Sequence, residues 1–149
     1  MPPKAVIDTN EALRAAARDS SPIREALNQQ KFEWITSKPL LTEFIEVASR
    51  PKVQKYLSPE RARLFVRLLR RLATLVMPYK ETPPCRDVDD LVLIGTALAG
   101  RAEYLVTADT DLLDDPGLQE SLLGMGTRVL TAPQFLNELK TSEEDANAN

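Results

Sequence analysis

Residues 85–113, CRDVDDLVLIGTALAGRAEYLVTADTDLL, decide the fold of this 149-residue chain. They read as a helix opened by the acids Asp87, Asp89 and Asp90, a turn over Gly100 to Ala102, and a short apolar strand from Glu103 to Val106. The strand runs out into Thr107, Asp109 and Asp111. A helix dipole favours an acid at the helix N-terminus, and an acid just past a strand's carboxyl end stands where open α/β sheets bind ligands. Two further acids answer from upstream: Asp8, directly after Ala5-Val6-Ile7, and Glu43, inside SKPLLTEFIEVASR.

The rest of the chain alternates strands and helices. Lys4 to Ile7 is a short buried strand, and Glu11 to Arg18 can form a helix. Ser21 with Pro22 supplies an N-cap and a first-turn proline for a second helix, through about Asn28. Phe32 to Thr36 carries β-favouring residues and reads as the second strand. Ser37 opens a helix that stops near Arg50-Pro51, and Ser58-Pro59 opens another through about Leu72. On that last helix Ala62, Phe65, Val66, Leu68, Leu69 and Leu72 share one side, and Arg63, Arg67, Arg70 and Arg71 the other. A third strand is expected over Ala73 to Met77 and a proline-rich connector over Pro78 to Pro84. Asp114 to Gly117 reads as a turn, Thr127 to Leu130 as a fifth strand, and Ala132 to Lys140 as a terminal helix. Strands separated by helical crossovers imply a parallel sheet covered on both faces.

Composition narrows the chemistry. With 43% hydrophobic and 28% charged residues the chain has an ordinary globular balance. No secretory leader or membrane-length apolar run is evident, so a cytoplasmic setting is expected. The single Cys85 forms no internal disulfide and no thiolate zinc site by itself, and the absence of histidine removes imidazole-based catalysis and histidine metal ligation. A net charge of −3 argues against a globally basic nucleic-acid binder without excluding a local basic face. The arginine face from Arg63 to Arg71 is either that phosphate contact or an ordinary solvated helix surface.

Because parallel strands share a direction, Asp8 and Asp109 can lie side by side, and the helix from Asp90 returns the chain to the same edge. Glu43 lies early in its helix, within reach. Taken singly, Asp90 is a helix-start residue, Asp8 and Asp109 are turn formers and Glu43 is a solvated helix residue; taken together they repel unless a cation compensates them. Hard, oxygen-loving Mg²⁺ or Mn²⁺ is the natural partner, and such a site suits activation of water against a phosphodiester.

The segments DTN at 8–10, SKPLLTE with Glu43, CRDVDDLVLIGTAL and AEYLVTADTDLL resemble the PIN domain, in particular the VapC-type toxin components of bacterial toxin–antitoxin systems. The likeness runs from about Ala5 to Leu139. It implies an α/β three-layer sandwich with a five-stranded parallel sheet flanked by helices, one domain over residues 1–141, and a Mg²⁺- or Mn²⁺-dependent ribonuclease. The matched catalytic acids are Asp8, Glu43, Asp90 and Asp109, which with Asp111 would ligate metal; Asn10 and Thr107 would hydrogen-bond ligand or water. The implied partners are an RNA substrate, a cognate antitoxin and a second copy in a homodimer. Asp87 and Asp89 compete with Asp90 for the helix-side role. Asp90 is preferred on its spacing to Leu93 and Ile94, and Asp87 and Asp89 are assigned to capping. Gly95 stands where the family often has Glu, Ala108 replaces a common Gly, and Glu11 follows DTN where an apolar residue is usual. Residues 142–149, with Glu143, Glu144 and Asp145, are expected as a disordered acidic tail. A non-catalytic RNA- or protein-binding module on the same fold is the alternative. A receiver-type phosphoacceptor lacks its paired acid and later strand-end lysine here, and a phosphate-cradling glycine loop is missing.

Overall fold

The computed structural model describes residues 1–148. The chain runs β1 (Lys4–Ile7), α1 (Thr9–Ala17), α2 (Pro22–Asn28), β2 (Glu33–Thr36), α3 (Lys38–Ala48), α4 (Pro51–Gln54), α5 (Pro59–Leu72) and β3 (Thr74–Leu75). A 3₁₀ turn over Val88–Asp90 follows, then α6 (Leu91–Ala99), β4 (Tyr104–Val106), α7 (Thr110–Leu113), α8 (Pro116–Gly124), β5 (Arg128–Leu130) and α9 (Ala132–Ala148). The strands form one parallel sheet in the order β3-β2-β1-β4-β5. That is the expected five-stranded α/β sandwich.

Helix starts follow a repeated local device. Ser21, Ser58 and Asp115 each accept a hydrogen bond from the backbone N–H three residues on, at 3.2, 3.2 and 3.1 Å, and each is followed directly by proline. The side chain satisfies an orphan donor, while proline occupies a first-turn position whose own N–H would have gone unused. Strand alternation then sorts the two layers. Ala5, Ile7, Trp34 and Val106 face α1, α2, α3, α5 and α9, whereas Val6, Ile35 and Leu105 face α6, α7 and α8. Trp34 is core, with its ring 5.8 Å from that of Phe65. On α5 the expected division holds: Ala62, Phe65, Val66 and Leu69 are buried, and Arg63, Arg67, Arg70 and Arg71 are exposed. Among the described residues no helix is long and apolar enough to cross a membrane.

Four differences from the sequence expectation have local causes. The turn at Asp114 to Gly117 is instead the junction of two short helices, because Asp115 caps α8 and Leu118 and Leu122 bury one face of it. The segment after Arg50-Pro51 makes the short α4, held by buried Val53. β3 is only two residues long, exposed at the sheet edge, with Pro78 soon after it unable to donate to a ladder. Finally, α9 continues to Ala148 and takes in the acidic residues expected in a disordered tail. Residues 139–148 lack Gly and Pro, and Glu143 pairs with Lys31 at 3.3 Å.

Candidate metal centre

β1 and β4 lie side by side in register and end together, so their last residues deliver Asp8 and Asp109 to one edge of the sheet. The Asp8 N–H donates to the Val106 carbonyl at 2.9 Å, and the Thr107 N–H to that of Leu130 at 3.0 Å. The fully buried Thr107 donates its hydroxyl to Asp8 Oδ2 at 2.7 Å and accepts the Asp109 N–H at 3.0 Å. Asp109 Oδ1 in turn accepts the Asp111 N–H at 2.9 Å, which starts α7. Thr107 therefore serves the carboxylates from behind, and Asp111 contributes its backbone to Asp109.

The opposite side comes from the proline-rich connector. Its end folds into a 3₁₀ turn in which Asp87 Oδ1 accepts the Asp89 N–H at 2.9 Å and the Asp90 N–H donates to the Asp87 carbonyl at 3.0 Å. Residues three apart nearly eclipse in such a turn, so Asp87 and Asp90 fall on one side. Their carboxylates meet that of Asp109, with one oxygen from each of the three lying within 4.8 Å of the others. Asp87 is thus a cap, as expected, and also a member of this tight group. Asp89 is exposed and stays outside it.

A cleft of about 860 Å³ surrounds the group. Its walls include Asp8, Asn10, Glu43, Asp87, Asp89, Asp90 and Asp109, so the four acids matched in the sequence open onto one space. Asp8 and Glu43 line the cleft beyond the tight group. Glu43, from the first half of α3, accepts a hydrogen bond from the Thr9 hydroxyl at the start of α1, a contact between two packed helices. Arg14, Arg50 and Tyr56 also face this cleft. Sequence reasoning passed over all three. Arg14 was legible in outline: Glu11, at a position usually apolar, is buried and pairs with Arg14 at 2.7 Å, three residues on. Of the arginines on α5, Arg63, Arg67 and Arg70 line a separate groove against Phe44, Ile45 and Ala48 of α3, and Arg71 does not.

Burial first, and then the crowding of carboxylates, raises proton affinity in this cleft. The Asp90 carboxyl is pushed up to about 7, by burial first, then by Asp109 beside it and by Asp8 and Asp87. Asp8 is also raised, chiefly by burial and then by Glu43 and Asp109, against the lowering effect of its hydrogen bonds from Thr107 and the Thr9 backbone. Asp90 Oδ2 is buried with no hydrogen-bond partner among the described residues. Three carboxylates this close need a shared proton or a cation to offset their charge, and an all-oxygen anionic set suits a hard divalent ion. Asp87, Asp90 and Asp109 form a group able to hold one, and the expected ligands Asp8 and Glu43 line the same cleft.

Residues 4–111 match the family model described as a PIN domain, a span that includes every acid of the cleft. A comparison with curated proteins returns no match.

Proposed function

The chain belongs to the PIN domain family, a nuclease-type fold, and from that premise we propose that it is a Mg²⁺- or Mn²⁺-dependent endoribonuclease, the toxin of a type II toxin–antitoxin pair. The observation that carries the nuclease reading is the meeting of Asp87, Asp90 and Asp109, one carboxylate oxygen of each within 4.8 Å of the others, in a cleft that Asp8 and Glu43 also line. Asp87, Asp90 and Asp109 would bind the ion. When bound, the ion supplies charge compensation and activation of water for attack on a phosphodiester. The protein's own contribution is positioning: Thr107 holds Asp8 and Asp109 in place, and Thr9 holds Glu43. With no histidine in the chain, carboxylates are the groups available at this cleft to accept a proton from water.

The partner proposals follow from the family resemblance. The antitoxin would cover apolar surface between helices, and the groove of α3 and α5, about 360 Å³, is a surface of that kind. Arg63, Arg67, Arg70 and Arg71 remain a proposed RNA contact, the first three on that same groove so that antitoxin and RNA would compete for it, and a cytoplasmic homodimer the proposed assembly.

Incubation of the purified protein with a generic single-stranded RNA and Mn²⁺ tests the nuclease reading. Cleavage is expected, lost in EDTA and lost in Asp8→Asn and Asp90→Asn. Cleavage that persists in either variant rejects the assigned roles, and absence of any Mn²⁺-dependent cleavage rejects the nuclease. Growth arrest on expression, relieved by a small DNA-binding protein encoded next to this one, tests the toxin role separately.

A further inference from the structure

The cleft is much larger than three carboxylates need, and one part of its wall is chemically unlike the rest. Six acids face it, against two arginines and one aromatic ring. Arg14 is committed to the buried Glu11. The Arg50 side chain is exposed and makes no ion pair or hydrogen bond among the described residues. Tyr56 is 56% exposed, and its ring is the aromatic surface of this cleft.

These two residues sit on one hydrogen-bonded corner of the fold. Arg50 caps α4, and the turn that follows is closed by hydrogen bonds from the N–H groups of Tyr56 and Leu57 to the Val53 carbonyl, at 3.0 and 2.9 Å. Val53 and Leu57 anchor that turn, at 8% and 0% exposure. An exposed ring on a fixed backbone, with few torsions to freeze, is a low-cost stacking surface. The other strongly exposed tyrosine, Tyr79, does not face the acids.

We propose that Arg50 and Tyr56 form a subsite for one unpaired nucleotide of the substrate strand, its base stacked on the Tyr56 ring and its phosphate against the Arg50 guanidinium. The proposal rests on the nuclease reading. The acids repel a polyanion, so a strand entering this cleft needs a cation away from the metal group, and Arg50 is the uncommitted one. Stacking on a side chain requires a base out of the duplex, so the subsite selects single strands and tolerates any base.

The test is binding of a fluorescently labelled single-stranded octaribonucleotide and of an abasic strand of equal length, read by anisotropy in Ca²⁺, with cleavage followed separately in Mn²⁺. The unaltered protein is expected to bind the base-bearing strand about tenfold more tightly than the abasic one. Tyr56→Ala should erase that preference with its melting temperature unchanged, and Tyr56→Phe should keep it. Arg50→Ala should weaken both strands alike. No preference in the unaltered protein, or a preference that survives Tyr56→Ala, overturns the subsite, whether or not RNA is cleaved. A Tyr56-dependent preference without any cleavage in Mn²⁺ leaves the subsite standing and removes the nuclease.

Discussion

Thr107 and Asp8, ninety-nine positions apart in the chain, are joined by a 2.7 Å hydrogen bond from the threonine hydroxyl to the carboxylate. The same oxygen accepts the Asp109 N–H at 3.0 Å, so one buried group sets two of the site's acids. Thr107→Val keeps the shape and removes both bonds. It should cost about 1–3 kcal/mol of stability, because the Asp109 N–H loses its acceptor. It should also weaken Mn²⁺ binding by about 10–100-fold, the usual effect of removing a group that orients a ligand. Thr107→Ser should restore most of both. Calorimetric titration with thermal melting decides; unchanged Mn²⁺ affinity in the valine variant would mean that Thr107 only packs.

Asp87 and Asp89 stand two residues apart and have different surroundings. Asp87→Asn keeps a capping oxygen for the Asp89 N–H but removes a charge from the tight group, so Mn²⁺ affinity should fall at least about tenfold without loss of fold. Asp89→Asn should leave it nearly unchanged. Equal effects of the two substitutions would contradict this division.

Acidity gives a third handle. The folded-state value for Asp90 is raised from 3.8 to about 7, so between those pH values the folded chain holds a proton that the unfolded chain has released. Stability of the metal-free protein is then highest at the acid end of this window and is lost as pH rises through about 7. Asp90→Asn should remove this dependence and melt at higher temperature than the unaltered protein at pH 8 without metal. Mn²⁺ competes with that proton, so the rise in melting temperature it produces should be larger at pH 8 than at pH 5.5. A rise independent of pH would exclude Asp90 from the ligand set.

Gly95 tests the connector. A Cβ at this position would stand 2.4 Å from the Tyr79 carbonyl oxygen, and the Tyr79 N–H donates to the Gly95 carbonyl at 3.0 Å. Gly95→Ala must therefore displace backbone rather than a flexible side chain, at a cost of about 1–3 kcal/mol. Because the displaced segment leads to Asp87, Mn²⁺ affinity should drop as well. An alanine variant with unaltered melting temperature and affinity would show that the connector yields freely.

Much of this architecture was legible in the sequence because its signals are local. Ser21-Pro22, Ser58-Pro59 and the apolar runs before Asp8 and Thr107 mark helix starts and strand ends without reference to anything distant. The same signature at Asp115-Pro116 was present too, but Asp114-Asp115-Pro116-Gly117 is equally good turn chemistry, and only the burial of Leu118 and Leu122 decides for a helix. The site divides in the same way. Asp8, Glu43, Asp90 and Asp109 could be placed from their elements alone, and all four face one cleft. The membership of Asp87 could not be read, since it depends on how a connector without periodicity packs against α6. Gly95 looked like a departure from the family pattern, and its cause, the Tyr79 backbone filling the space of a side chain, is a tertiary contact. The corner carrying Arg50 and Tyr56 was hidden for a similar reason: Arg50-Pro51 announces a helix end and says nothing about where the next turn points.

The order of the strands has a consequence for how the molecule holds together. With β1 at the centre, the chain builds the sheet outward through β2 and β3, then crosses back to add β4 and β5 on the other flank. Asp8 and Glu43 belong to the first half of that path, and Asp87, Asp90 and Asp109 to the second. The pocket of charge thus lies on the seam between the two halves, and each half pushes the other away there. A divalent ion held by Asp87, Asp90 and Asp109 would tie the connector to the end of β4 within the second half, and by offsetting their charge would relieve the repulsion that Asp8 and Glu43 exert from the first.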